Sequence, residues 1–341
     1  MKKYKKILAC LSLSFLMIAV GHAGDIDRVG TTAATQLLLP IGARSISMGN
    51  SAIASTQGVE AIHWNPAGIA ASTNSEVMFS NTAYIADIKQ NYLGATLAST
   101  GLGTFGFHIQ SLDFGDIEET TVDEPDGTGR TYSPTFFVVG LTYSRFLTDR
   151  IIAGVTGKYI SEEIMQTGGT AMAIDFGVQY IFNENFRFGV AMKNVGTKLQ
   201  YDGRNLERQA RIPGAGPNAE NGYFRAIAQD SEIPSVFGFG LSYKYDLSEA
   251  ANVRANAAFS NNNDYYDEIL GGLEFGYNDM VFLRAGYNTV TDLDAESIYG
   301  FSAGAGIKYG IGDFNLYIDY AFRQVTDYFD NNNIFSLKLS Y

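Results

Sequence analysis

Beyond its first 23 residues this chain has no cysteine, because Cys10 is the only one in 341 residues. Disulfides and thiol chemistry therefore have no place in the exported part of the protein. Histidine is nearly missing as well: His22 sits in the same leading stretch, leaving His63 and His108. With no paired His spacing and no Cys, the chain lacks the ligand set of a His/Cys metal site. Nothing places a serine beside His108 in the manner of a nucleophile and its base, and no catalytic or cofactor-binding constellation is expected. Cations are scarce. The 24 Lys and Arg stand against 36 Asp and Glu, a formal charge of −12, which argues against a nucleic-acid partner, since phosphates are held by clustered cations. Finally, no apolar run of about 20 residues follows the leader, so no helix is expected to cross a membrane. That absence does not bear on barrels, whose strands interleave apolar with polar residues.

The leader has a form of its own. Lys2, Lys3, Lys5 and Lys6 make a basic head, Ile7–Val20 an apolar run too short to span comfortably, and Gly21-His22-Ala23 a small-residue cleavage site. Residues 1–23 are expected to be a cleaved signal peptide. Cys10 precedes most of the apolar run, the wrong place for lipidation. Removing four lysines and no acid leaves a still more acidic chain, as suits solvated loops outside a membrane.

What the chain has in quantity is glycine (37), aromatics (13%) and alternation. Fourteen stretches alternate apolar with polar residues: 75–84, 88–98, 103–114, 134–146, 151–161, 170–182, 186–198, 235–246, 252–261, 268–278, 280–290, 297–309, 313–325 and 334–341. In 313–325, Phe314, Leu316, Ile318, Tyr320 and Phe322 share a face; in 297–309, Tyr299 and Phe301 oppose Gly300 and Ser302. A soluble sandwich also alternates, so the connections matter more. Those after even-numbered stretches are short, whereas those after odd-numbered ones are mostly longer and polar, the longest being 115–133 and 199–234. This asymmetry predicts an all-β, transmembrane outer-membrane β-barrel of about 14 antiparallel strands over 75–341, with tight periplasmic turns and large outer loops. Its surroundings would be outer-membrane lipid and lipopolysaccharide. Tyr143, Tyr180, Tyr245, Tyr277, Tyr309 and Tyr341 fall at one predicted interface, and Tyr84, Tyr159, Phe259, Tyr287 and Phe322 at the other. In the last stretch Phe335, Leu337, Leu339 and Tyr341 face one way. By resemblance to other barrels, that terminal strand is what barrel assembly machinery would recognise.

Residues 24–74 do not alternate. Small residues dominate, Leu37-Leu38-Leu39-Pro40 is a short apolar patch, and Trp64 is the only tryptophan. Asn65 and Pro66 have the form of an N-cap and first helical residue. The segment is expected to fold back into the lumen as a plug or hatch, the alternatives being an edge strand or a periplasmic tail.

Gly42-Ala43-Arg44, Met48-Gly49 and then Trp64-Asn65-Pro66-Ala67-Gly68 resemble the N-terminal signature of the PorV/PorQ family of outer-membrane proteins. Leu112–Ile117, Asp175-Phe176-Gly177, Lys193–Gly196 and Ile233-Pro234-Ser235 are similar to further family pieces, so the likeness spans nearly the whole exported chain. The resemblance implies a FadL-like barrel of 14 strands with an N-terminal hatch. It also implies a part in type IX secretion, with secretion components and the C-terminal signal domains of exported cargo as partners. The competing expectation, from the FadL-like fold, is a passive channel for hydrophobic small molecules.

Charges on the predicted lumen face carry both signs. Lys158, Arg187, Lys193, Lys244, Arg254, Arg284, Lys308 and Arg323 are the cations; Asp175, Glu274 and Asp319 are the anions. Pairing with one another and with the plug is the default expectation, since mixed signs are poor material for an ion-selective pore. Acidic clusters at 116–126, 264–268 and 292–296 fall in the predicted outer loops. None has EF-hand spacing, and the expectation for them is solvated loop or divalent bridging to lipopolysaccharide.

Overall fold

The computed structural model describes residues 30–341 except 100, 212, 215, 217–219, 293, 294, 296, 327 and 328. The expected signal peptide and the loop residues Asp294 and Glu296 lie outside the described residues.

Fourteen strands form the wall. The first seven are β1 (Glu76–Ala83), β2 (Lys89–Ser99), β3 (Gly103–Asp113), β4 (Thr135–Phe146), β5 (Ile151–Ile164), β6 (Thr167–Ile181) and β7 (Phe186–Gly196). The rest are β8 (Val236–Asp246), β9 (Ala251–Asn262), β10 (Glu268–Tyr277), β11 (Val281–Val290), β12 (Tyr299–Ile311), β13 (Phe314–Val325) and β14 (Asn332–Ser340). Each pairs antiparallel with its sequence neighbours, and β1 pairs with β14 from Glu76↔Ser340 to Ala83↔Asn333. The sheet is therefore closed, and no edge is left to present unpaired backbone groups to lipid.

The alternation has the physical basis expected of a lipid-facing wall. Outward side chains such as Phe79, Leu97, Leu141, Met172, Leu283 and Leu337 are exposed. Their inward neighbours are buried and mostly small or polar: Ser80, Thr142, Ser144, Gln179, Ser242 and Ser302. Inward hydroxyls pair across the ladder, as Thr142 Oγ1 does with Thr156 Oγ1 at 2.8 Å.

Two irregularities depart from the sequence expectation. The connection between β5 and β6 is a tight turn at Met165 and Gln166, not a loop from 162 to 169. Both strands run on to that turn, longer than the other strands of the wall, and Asp202–Gly203 pair with Thr167–Gly168 to extend that edge. In β12 the register slips by one residue between Tyr299 and Ser302. A bulge of this kind reverses the face of everything before it. Tyr299 therefore turns inward, not outward with Phe301, and its hydroxyl meets that of Tyr84 at 3.0 Å. Tyr84 belongs to the lumen and not to the outer aromatic girdle.

Candidate functional site: the lumen segment and the loop end

Residues 30–74 run through the whole depth of the barrel. At the loop end Ala33 N donates to Glu232 O at 2.9 Å and Thr32 N to Asp264 Oδ1 at 3.1 Å. At the turn end Ser75 N donates to Tyr341 O at 2.9 Å. Between these anchors lie short helical pieces: Thr35–Leu38, Ala43–Ser47, Ala52–Ala54, Gly58–Glu60, Ala61–Trp64 and Pro66–Ala71. Such short turns are marginal alone, and burial holds them. Ala43, Ile46, Met48, Ala52, Ile62, Ala67 and Ile69 are fully buried. Asn65 accepts from Ala67 N as the cap of the last piece, with Pro66 at its first position. Its amide also donates to Val178 O of β6 at 3.2 Å.

The wall makes room for this segment with glycine. A Cβ on Gly189 would stand 2.8 Å from Ala54 Cα, and one on Gly154 2.6 Å from Ala67 N. Gly177, Gly272, Gly286 and Gly304 likewise lie against Asn65, Met48, Gly49 and Ser47. The inward glycines are thus sites of close approach between two backbones.

The residues of the N-terminal signature fall in this segment. Arg44 donates from Nε and Nη2 to the two oxygens of Glu274 at 2.9 and 3.0 Å. Glu274 also meets Arg284 Nε at 2.8 Å and lies 3.5 Å from Arg254 Nε, and Arg284 Nη1 reaches Asp319 at 2.6 Å. Gly49 N donates to Ser302 Oγ, and Trp64 Nε1 to Ile41 O at 2.8 Å. Met48 packs against Asn256 through its sulfur.

The other charges divide into three groups. Lys158 pairs with Asp175 at 2.5 Å and donates to Asn194 Oδ1, while Asn194 N donates to the other Asp175 oxygen. Asn194 is at φ 60° in a bulge between β6 and β7, so Asp175 satisfies an amide that the ladder has released. Lys193 stands 5.4 Å over the Trp64 ring, and Arg323 stacks 3.8 Å from the Tyr299 ring while donating to Asn332. Arg187 rests against the Gln57 amide. Lys244 and Lys308 sit at the turn rim, paired with Asp246 and Asp279. Sequence reasoning missed Glu60, Glu76 and Lys338, which are also lumen charges, and it read Asp264, Asp267 and Glu268 as a solvated outer loop, whereas Asp264 and Asp267 are buried and Glu268 opens β10 and lines the loop-end cavity. The strand phase contained the signal for Glu76, Glu268 and Lys338, because Glu76 shares parity with Ser80, Glu268 with Gly272, and Lys338 with Ser336.

Two cavities flank the segment. The one at the loop end, about 390 Å³, is lined by Leu38, Leu39, Phe114, Phe136 and Ile298, with Lys193 and Arg323 among its polar members. The one at the turn end, about 360 Å³, is walled largely by charged and small polar groups. Beyond the loop end, 207–211 and 221–225 form a separate two-stranded ribbon. It carries exposed Tyr223 and Phe224, followed by Ile227, 89% exposed. Phe335, Leu337, Leu339 and Tyr341 all lie on the outer face of β14 or at its end.

The family described as "Type IX secretion system protein PorV" matches residues 22–215 of the chain. No curated protein matches it in sequence. Among solved structures, the Pseudomonas putida toluene transporter TodX is similar at 12% identity and TM-score 0.52, over 88% of this chain and 97% of that one. The Ralstonia pickettii toluene transporter TbuX gives the same four values. The monoaromatic hydrocarbon channel CymD is similar at 12% identity and TM-score 0.51, over 89% and 97%. At such identities these likenesses establish the FadL-like barrel fold and nothing about cargo.

Proposed function

This chain belongs to the PorV family of type IX secretion system proteins, and we propose from that premise that its loop end receives exported cargo. The protein is an outer-membrane β-barrel of the secretion pathway. In this reading it acts as a docking site for the C-terminal signal domain of a secreted protein and escorts it at the outer surface.

One observation carries the reading: the ribbon of 207–211 and 221–225 projects Tyr223 and Phe224 into solvent, and Ile227 just after it is exposed as well. Large apolar groups held on an ordered projection are the usual anchors of a protein interface. A lumen filled along its depth by residues 35–71 fits a partner-binding role better than free conduction. The test is capture of a purified cargo signal domain by the detergent-solubilised barrel. Deleting 200–231, or replacing Tyr223 and Ile227 together by Asp, is expected to weaken capture at least tenfold. Undiminished capture by both variants would remove the ribbon from the interface. Lipopolysaccharide around the loops and the assembly machinery acting on β14 belong to the same proposal as partners of biogenesis.

The loop-end cavity favours a second reading, passive uptake of hydrophobic small molecules. It is apolar over most of its lining and of a size that holds a small ligand. Uptake of a labelled monoaromatic compound or fatty acid by cells expressing the barrel would favour this reading.

A further inference from the structure

The ribbon beyond the loop end is a sheet of two strands only, Glu207–Arg211 and Asn221–Arg225, so each has an edge that no other strand of the described residues covers. The register fixes which backbone groups point outward. Ala226 N donates to Leu206 O at 2.9 Å. That makes Leu206 and Ala226 a hydrogen-bonded pair, and it makes Arg208 with Phe224 and Ala210 with Gly222 the next two. The residues between them turn their amides and carbonyls away from the ribbon. These are Glu207, Gln209 and Arg211 on one edge, and Asn221, Tyr223 and Arg225 on the other.

The two edges are not alike. The first is blunted by charge, as natural sheet edges often are. Three of its five residues are charged, and Arg208 Nη1 folds back to donate to the outward Glu207 carbonyl at 2.9 Å. The second edge carries no such device. Asn221, Gly222, Tyr223 and Phe224 are uncharged, and the Arg225 side chain is held by Asp202 and Glu207. Among the described residues no side chain bonds the outward amides or carbonyls of this edge. Tyr223 stands exposed on one face of it and Phe224 on the other.

We propose that the edge Asn221–Arg225 takes up an extended, acidic segment of the cargo signal domain as a third strand. This role rests on the docking reading of the ribbon and names how the partner is held. Main-chain hydrogen bonds supply affinity, and alternate side chains of the segment meet Tyr223 and Phe224. The charge of the segment follows from the first strand and its lead-in. Arg204, Arg208 and Arg211 have no carboxylate partner among the described residues; Arg208 and Arg211 bond backbone carbonyls. The first strand lies about 4.8 Å from the second, so its uncompensated cations act on whatever docks there. The other long outer loop, 115–133, is acidic and repels what the ribbon attracts.

The experiment is capture of a purified cargo signal domain by the full-length barrel in an uncharged detergent, followed by hydrogen exchange of the ribbon amides, with heat-modified gel migration as the check on folding. Proline on an outward position removes a donor without breaking the ladder. Tyr223→Pro is expected to weaken capture at least tenfold beyond Tyr223→Ala, which loses the ring but keeps the amide. Gln209→Pro, directly across the ladder on the blunted edge, changes capture less than twofold. Cargo slows exchange across 221–225 and leaves 207–211 unchanged. Arg208→Gln with Arg211→Gln weakens capture several-fold, and high salt removes the difference. No capture by the parent barrel removes the docking reading and the edge role with it. Capture with equal losses in the two proline variants, or without slowed exchange across 221–225, overturns the edge role alone. Slowed exchange there without cargo, rising with barrel concentration, assigns the edge to a second copy of the chain and also overturns it.

Discussion

Gly271 and Gly272 are neighbours on β10 that point to opposite faces of the wall, and they make a matched pair for testing how the lumen segment is held. A Cβ on Gly272 would stand 2.6 Å from Ser51 Oγ and 2.7 Å from Met48 Cβ, and closer still to the Met48 carbonyl oxygen. A Cβ on Gly271 meets nothing within 4 Å. Real Cβ atoms do not sit so near backbone, so Gly272→Val must displace something. The wall is a closed hydrogen-bonded ladder, whereas residues 48–51 form a turn between two short helical pieces. The turn is what yields. Overpacking of this kind costs about 1–3 kcal/mol. Valine at 271 faces lipid, where a β-branched residue suits a strand. The assays are single-channel conductance in planar bilayers and thermal unfolding by loss of the heat-modifiable folded band. Gly272→Val is expected to raise conductance and lower the unfolding temperature, with Gly271→Val indistinguishable from the parent. Equal behaviour of the two variants in both assays would refute the close approach of the segment to β10.

Other outcomes follow from the ion pairs and the last strand. Arg44→Ala leaves Glu274 with Arg284 and Arg254 but cuts the charged tie between segment and wall, so protease access to residues 30–74 from the turn end should rise while the barrel band persists. Lys158→Met strands Asp175, 0% exposed, without its ion partner; removing one member of a buried pair costs about 3–5 kcal/mol. A marked fall in unfolding temperature is expected, and Lys158→Met with Asp175→Asn should regain part of it. Deleting Tyr341 removes the terminal aromatic that packs 5.0 Å from the Phe314 ring, and slower appearance of the folded band during assembly with purified assembly machinery is the measurable consequence.

Strand number and face were legible because a lipid-exposed wall imposes one rule on every residue: apolar outside, small or polar inside. From Phe314 to Phe322 that rule places each side chain correctly. It fails where the backbone breaks its own period. Tyr84 reads as a girdle residue and Tyr299 as an outward neighbour of Phe301, and a single extra residue near Gly300 turns Tyr299 into the lumen beside Tyr84. It also fails where strands are longer than the alternation, as β5 and β6 are, because polar residues such as Glu162 and Thr167 look the same in a long hairpin and in a loop. For the charged residues, the strand phase supplied only an expected face. It gave no partners, because Lys158 meets Asp175 across neighbouring strands while Arg44 reaches Glu274 over 230 positions of chain.

The amino-acid sequence by itself determined the wall: period-two alternation carried through to the last strand, together with loop parity, leaves little choice for a chain that must satisfy its backbone inside lipid. It also carried, in the Gly, Ala and Ser of residues 42–70, the small size of whatever lies there. Only the tertiary structure decided where that smallness is used. The inward glycines of β5, β6, β7, β10, β11 and β12 are matched one by one to the turns at 47–67, and such matching depends on barrel closure, which brings distant strands around one segment. The same closure decided which cations share Glu274: Arg44 from the segment, and Arg254 and Arg284 from the wall.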